Sequence, residues 1–203
     1  MSNSTTILPN APACDKNSAP ILDVLNRFIN EKHQSLLEIG SGSGQHAAYF
    51  CKHFPWLSWQ TSDLLENHSG INLWKERSNH VNFLPPIEFK IGQDPFPAKH
   101  YDIIFTANTL HIISWKQVKL LIKMLGKNIK SKSLIIIYGP FNYHGGFTSD
   151  SNKHFDQFLK SKDLKSGIRH FEDITNNMTK NGIYLLEDIA MPANNRTLVF
   201  EKG

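Results

Sequence analysis

The chain has 203 residues, 40% of them hydrophobic, and 22 Lys plus Arg against 18 Asp plus Glu give a formal net charge of +4. That length supports one sizeable core and is short for two, so a single domain over residues 1–203 is expected. The N-terminal stretch MSNSTTILPNAPACD has no basic segment ahead of an apolar run. No apolar run approaches the roughly 18 residues of a membrane helix, so a cytoplasmic protein without membrane contact is expected.

Two cysteines, Cys14 and Cys51, are too few for a disulfide framework and too far apart for a paired-cysteine metal knuckle. Ten histidines are present, but the nearest two, His46 and His53, would sit roughly 10 Å apart along a helix. No metal is expected.

In chain order, Met1 to Asp15 reads as an exposed tail, either folded over the binding site or disordered. A helix is predicted over Ser18 to Lys32, with Asn17 or Ser18 as cap, Pro20 in the first turn and an apolar face at Ile21, Leu22, Val24, Leu25, Phe28 and Ile29. Leu36 to Gly44 (LLEIGSGSG) is then an apolar strand running into three glycines spaced two apart, with helix-like sequence from Gln45 to Phe54 behind it. Glycine allows positive φ and lets the backbone approach a ligand, which makes this a nucleotide-cradling turn.

Its spacing admits two cofactor classes. From Gly42, GSGQHA fits the alanine-ended dinucleotide fingerprint. From Gly40, the third glycine comes one place early for that fingerprint, and Glu38 stands two places before the first.

Leu57 to Gln60 is predicted as a second strand closing on Thr61, Ser62 and Asp63, followed by a loop and helix over Leu64 to Asn79. Pro85 and Pro86 introduce a third strand, Ile87 to Ile91, closing on Gln93 and Asp94. Tyr101 to Thr106 is a fourth, and Leu134 to Tyr138 a fifth, both apolar enough for burial on two faces. Between them lies a helix from Ser114 to about Lys130 with Val118, Leu121, Ile122, Leu125 and Ile129 on one side. Residues 141–170 are polar and glycine-punctuated, with a helix from about Asn152 to Leu159, and read as an insertion covering the active site. A helix over Phe171 to Asn181 and two strands, Ile183 to Ala190 and Arg196 to Glu201, close the chain. The fold class is therefore α/β, a doubly wound, mostly parallel sheet with an antiparallel end.

No Asp or Glu occurs from Ile103 to Ser149, while Lys116, Lys119, Lys123, Lys127, Lys130 and Lys132 fall in that window. A solvated helix face explains this, and so would a footprint for RNA or an acidic protein. Only four arginines occur in the chain, and arginine is the preferred bidentate phosphate ligand, which weighs against nucleic acid.

Asp63, Asp94 and Asn108 are all expected at carboxyl ends of neighbouring strands, converging on one crevice. Asp63 lies 19 residues beyond Gly44, where a carboxylate would meet ribose hydroxyls.

Taken together, LLEIGSGSGQHAAYF, the TSD ending of the second strand, NTLHIISW, YGPF and MPANNRTLVF resemble one family over nearly the whole chain. It is the DUF938 branch of class I S-adenosylmethionine-dependent methyltransferases, related to the methyltransferase-like 26 proteins. The resemblance implies a Rossmann-like, seven-stranded sheet with an antiparallel last strand, and S-adenosylmethionine as cofactor with S-adenosylhomocysteine as product. It also implies that Glu38, Gly40, Ser41, Gly42 and Gly44 surround the methionine moiety and that Asp63 holds the ribose. Leu64 would pack on the adenine, Asp94 with Phe96 beside it would meet its amino group, and the backbone at Asn108 would receive the methionine amine. Lys130 to Ser133 lacks the Pro-Gly usual in the wider superfamily, which leaves that loop's geometry open.

Methyl transfer needs chiefly in-line placement, an effect worth up to about 7 to 11 kcal/mol. Should the acceptor need a base, His111, Tyr138 and Tyr143 are candidates. An acceptor pocket for a small molecule is expected from Trp115, Phe141, Tyr143, Phe155, Arg169, Asn194 and Asn195, with Arg169 able to clamp a carboxylate or phosphate. Two other readings stand beside this one. A nicotinamide-dependent reductase would use GSGQHA, although none of the five tyrosines has a lysine four residues on. A non-catalytic RNA- or protein-binding module would use the lysine-rich helix. Nothing in the sequence separates N-, O- and S-methylation.

Overall fold

The computed structural model describes residues 8–97 and 100–203. Seven strands form one sheet: β1 (Ser35–Ile39), β2 (Ser58–Asp63), β3 (Phe83–Glu88), β4 (Ile103–Ala107), β5 (Leu134–Gly139), β6 (Ile183–Met191) and β7 (Asn195–Lys202). The helices are α1 (Pro12–Phe28), α2 (Gln45–Phe50), α3 (His68–Ser78), α4 (Trp115–Asn128), α5 (Asp150–Lys162) and α6 (Phe171–Lys180). The strand order is β3-β2-β1-β4-β5-β7-β6. Neighbours are parallel from β3 to β5, whereas β7 runs antiparallel to both β5 and β6. The order turns back between β1 and β4, so the loops leaving these two strands diverge and open a crevice at their carboxyl ends.

Two apolar clusters cover the two faces of the sheet. On one, Ile21 and Leu25 of α1 and Phe50 of α2 pack with Trp59 and Phe105; on the other, Val118, Leu121 and Leu125 of α4 and Ile174 and Met178 of α6 pack with Ile104, Ile135 and Ile137. Burial on both sides explains why β1, β4 and β5 read as near-continuous apolar runs. The expected α4 is observed, with a capping box between Ser114 and Gln117. Its lysines Lys116, Lys119, Lys123 and Lys127 are exposed opposite the buried stripe.

Three expectations need correction. The first helix begins six residues early, with Pro12 in its first turn and Pro20 in its interior. An interior proline costs about 3 kcal/mol. Here the inner face of the helix offsets it, burying Ile21, Leu22, Val24 and Leu25 together with Asn17 and Ser18. The expected tail is thus partly helix; its residues 1–7 lie outside the described residues.

Second, Pro85 and Pro86 lie inside β3 rather than before it. β3 is an edge strand, where a missing N–H is tolerated. The pairing with β2 shifts register between Gln60 and Ser62, and Gln60 Nε2 donates to Pro85 O at 2.6 Å. Asp94 consequently does not end a strand. Third, α2 stops at Phe50, and the rest of the expected helix, to Phe54, is turns.

The expected insertion is tied down at both ends. Phe141–Asn142 pairs with Arg169–His170 as a short parallel ladder, and the segment carries α5 between them. Among the described residues, no helix is long and apolar enough to cross a membrane.

Candidate functional site

The glycine turn leaves β1 with Gly40, Gly42 and Gly44 at φ of 74°, 58° and 89°. These are left-handed values that other residues adopt only with strain. A Cβ at Gly44 would stand 3.0 Å from the Ile71 Cα, and one at Gly40 would stand 2.5 Å from Thr109 Oγ1. A Cβ at Gly42 would meet nothing within 4 Å. The turn is therefore packed at both ends and open at its crest.

β2 holds the turn from the side. Gly40 N–H and Ser41 N–H both donate to Ser62 O, at 3.0 and 3.1 Å. Ser41 Oγ accepts from Ser62 N–H, and Ser62 Oγ donates to Glu38 O at 2.7 Å. Asp63 completes the clasp. One carboxylate oxygen accepts from Gly42 N–H at 2.6 Å, and the other from Leu64 N–H at 2.7 Å and Asn67 Nδ2 at 2.8 Å.

Glu38 lies beneath the turn, 1% exposed, accepting from the Trp59 indole N–H at 2.9 Å. Burial raises its pKa to about 7, against the lowering effect of the bonds from Trp59 and Ser41. Its side chain supports the turn from within the sheet.

The start of the chain straps this region. Trp74 Nε1 of α3 donates to Pro9 O at 2.8 Å, and Gln45 Nε2 donates to Asn10 Oδ1 at 2.8 Å and Asp15 Oδ1 at 3.3 Å. Two residues further along α1, Asn17 Oδ1 meets His46 Nε2 at 2.8 Å. Burial lowers the pKa of His46 to about 4, so the ring is neutral at pH 7.

Asn108 follows β4 with φ of 57°, its N–H donating to Tyr138 O at 2.9 Å. Next to it opens a cleft of about 370 Å³, lined from α1 by Lys16, Asn17 and Pro20, from the strand ends by Asn108, Tyr138 and Pro140, and from α5 and the 192–195 turn by Asn152, Phe155 and Asn195. Two other cavities are of similar size. One, about 400 Å³, lies among α1, α2 and α3 around Cys14, Tyr49 and Trp74, and the other, about 410 Å³, lies beside Tyr143 and Arg196. The 370 Å³ cleft is the one that Asn108 and Tyr138 border, and the Asn108–Thr109 loop connects it to the glycine turn.

His111 is 4% exposed and sits behind the cleft wall, edge-on to Phe155 at 5.3 Å. Its Nδ1 is 3.6 Å from where a Gly139 Cβ would be. Desolvation, with Arg169 adding, lowers its pKa to about 4. Tyr138 is 4% exposed, and its pKa is raised by desolvation, so the hydroxyl remains protonated at neutral pH.

Several candidate residues are placed elsewhere. Tyr143 lies off this cleft, stacked on Phe171 and donating to Asp188 Oδ2 at 2.9 Å; desolvation and that bond raise its pKa far above the ordinary value. Phe141 is 1% exposed within the second core cluster and lines none of these three cavities. Trp115 packs against the same cluster.

Arg169 is anchored through Nε and Nη2 to main-chain oxygens, Leu110 O at 2.9 Å, Lys165 O at 3.0 Å and Ile113 O. With Gly167 N–H on His111 O and Ser166 Oγ on Ile112 O, it sews the insertion to the loop after β4. Asp94 caps a turn by accepting from Lys90 N–H at 2.6 Å, and Phe96 packs edge-on to Phe89. Phe155 and Asn195 do line the cleft, and Asn194 O braces it by accepting from Asn152 Nδ2. The contribution of α1 was missed. Reading Pro12 as the first-turn proline would have put Lys16, Asn17 and Pro20 on a helix beside the site.

The model of a family described as protein of unknown function (DUF938) matches residues 8–202. The chain belongs to the DUF938 family. Among solved structures, this DUF938 chain is similar to an O-methyltransferase family protein from Burkholderia thailandensis, at 13% identity and TM-score 0.77, over 94% of this chain and 57% of the other. It is similar to an O-methyltransferase family 2 protein from Planctomyces limnophilus in complex with apigenin, at 16% and 0.79, over 94% and 60%. It is also similar to human N-acetylserotonin methyltransferase in complex with SAM, at 16% and 0.76, over 94% and 53%. The chain thus spans little more than half the length of these proteins, and at such identities the likeness concerns the fold. That fold is the Rossmann-like class I methyltransferase fold expected from the family motifs.

Proposed function

We propose that this DUF938 chain is an S-adenosylmethionine-dependent methyltransferase acting on a small molecule. The observation that carries the reading is the clasp between Gly42 N–H and Asp63, at the switch point of a β3-β2-β1-β4-β5-β7-β6 sheet. Asp63 accepts three hydrogen bonds, two of them on Oδ1, so its Oδ2 keeps room for a ribose hydroxyl without releasing the turn. The bare crest at Gly42 leaves the space a Cβ would take for a ligand. The residues present therefore fit the cofactor. The solved relatives support the same reading, since two are O-methyltransferase family proteins and one was solved with SAM.

In this reading Gly40 to Gly44 flank the methionine moiety, Asp63 holds the ribose, Leu64 packs on the adenine, and the backbone at Asn108 receives the amino group. Asp94 and Phe96 belong to the adenine end, reached by the loop after β3 rather than by the strand. When bound, the cofactor supplies a methyl group on a sulfonium, so transfer to an acceptor lone pair leaves a neutral thioether and one proton. The work left to the chain is placement and exclusion of water.

Tyr138 presents a protonated hydroxyl and Asn108 an amide at the mouth of the 370 Å³ cleft, which suits them to orient the acceptor rather than deprotonate it. His111, neutral and behind Phe155, holds that ring in place; the acceptor proton leaves to water. Isothermal calorimetry with S-adenosylhomocysteine tests the assignment directly. Micromolar binding that Asp63→Asn weakens is the expected result, and no heat at millimolar ligand would reject it.

A further inference from the structure

The charge pattern of the cleft beside Asn108 narrows what can occupy it. None of its thirteen lining residues is Asp or Glu, and one, Lys16, is a cation. Lys16 makes no ion pair among the described residues. The neighbouring Asp15 is directed to Gln45 instead.

The rest of the lining is fixed. Asn17, Tyr138 and Asn152 are 7%, 4% and 5% exposed, so three polar side chains are held almost wholly inside the wall they line. Asn152 Nδ2 is taken up by Thr148 Oγ1 and Asn194 O. Phe155 offers a flat apolar surface whose tilt is set by His111 at 5.3 Å. The first turn of α5, at Ser151 and Asn152, faces the same space; Asp150 in that turn and the Ser149 Oγ cap on Asn152 N–H offset the helix dipole there, which leaves Lys16 as the charge of the site.

An aromatic face, a cationic end and no carboxylate match a flat anion. A cationic ligand would lose its hydration with nothing in the lining to replace it.

We propose that the acceptor is a planar aromatic molecule bearing a carboxylate, with the ring on Phe155, the carboxylate at Lys16 and the methylated atom toward Asn108 and Tyr138. This assigns a substrate class to the site read above as a methyltransferase and rests on that reading. The exposed position of Lys16 sets the scale: a solvated charge pair is worth roughly 1.5- to fivefold in affinity.

The test uses isosteric sets that differ only in charge: 4-hydroxybenzoate, 4-hydroxybenzamide and 4-hydroxybenzamidine, with the matching 6-hydroxynaphthalene series. Each is titrated into the full chain and followed by NMR, with and without S-adenosylhomocysteine. The expected order is carboxylate, then amide, then amidine. Lys16→Met is expected to bring the carboxylate to the level of the amide and leave the amide unchanged, while Phe155→Leu weakens all three. Equal binding across a set, preference for the amidine, indifference to Lys16→Met, or no binding at millimolar ligand overturns the proposal. Titration of S-adenosylhomocysteine alone separates the two readings. If it binds and the anion preference is absent, the substrate class fails and the methyltransferase reading stands. If it does not bind, the methyltransferase reading fails whatever the aromatic series shows.

Discussion

The two halves of the crevice are built in different ways. The glycine half uses nine consecutive residues, Leu36 to Gly44, plus Asp63, which reaches back from the adjoining strand to Gly42. The acceptor half collects scattered residues from α1, the ends of β4 and β5, α5 and the 192–195 turn. A local site can be specified by spacing and is over-determined by backbone hydrogen bonds. A composite site depends on every element that supports it, and it can change its ligand without disturbing the other half.

The largest effect should come from breaking the local half. Gly44→Val places a side chain against the Ile71 backbone at φ of 89°, and strain plus overpacking should cost about 2–5 kcal/mol, read from urea denaturation. Unchanged stability would mean that the turn is softer than its contacts imply.

Glu38 gives the next effect through pH. Its folded pKa of about 7 lies above the ordinary value of 4.5, so the folded state binds the proton more tightly. Stability from this group is therefore greatest below pH 4.5 and declines as pH rises toward 7, by about 3 kcal/mol in all. His46 and His111, lowered to about 4, act in the opposite sense: their contribution is present above pH 6.5 and is lost as pH falls through 4. The wild-type profile should be comparatively flat between pH 6 and 8 and fall below pH 6, where two histidines outweigh one carboxyl. Glu38→Gln should expose the histidine slope, with urea midpoints rising from pH 5 to 8. Superimposable profiles for the two proteins would contradict this.

Asp63→Asn keeps an acceptor for Gly42 N–H but removes the charge. It should weaken S-adenosylhomocysteine binding by about 1.5–3 kcal/mol, roughly 10- to 150-fold, while leaving the aromatic series bound to the other half unaffected. Coupled losses in both halves would erase the contrast between them.

Arg169→Met removes three bonds to the loop after β4 and should cost about 1–3 kcal/mol of stability. Its kinetic signature should be a raised acceptor KM with unchanged cofactor affinity, because Arg169 holds the loop after β4 that borders the cleft. The smallest effect is expected at α4. Replacing Lys119, Lys123 and Lys127 together by Gln should leave stability and both ligands within about 0.5 kcal/mol, as for a solvated face. A marked change in RNA affinity would revive the binding-module reading.

Legibility followed the range of the interactions. β4, β5 and α4 were readable because a buried strand or an amphipathic helix writes its environment into consecutive residues. β3 was misplaced because Pro85 and Pro86 break strands in general but not at an edge with a register shift, and edge position is a property of the whole sheet. α1 was started late because Pro20 looks like a first-turn proline until the buried face preceding it is known. Arg169 and Tyr143 looked available as free polar groups on an insertion, but Leu110, Ile113, Lys165 and Asp188 claim them, and such long-range partners leave no mark on local sequence.

The sequence by itself determined the doubly wound sheet, the positive-φ turn after β1 and the carboxylate that faces it, since each follows from residue chemistry within a short window. Only the tertiary structure decided which polar groups are spent and which face the cleft. Hydrogen-bond capacity belongs to a residue, but whether any of it remains for a ligand depends on the neighbours that folding brings within reach.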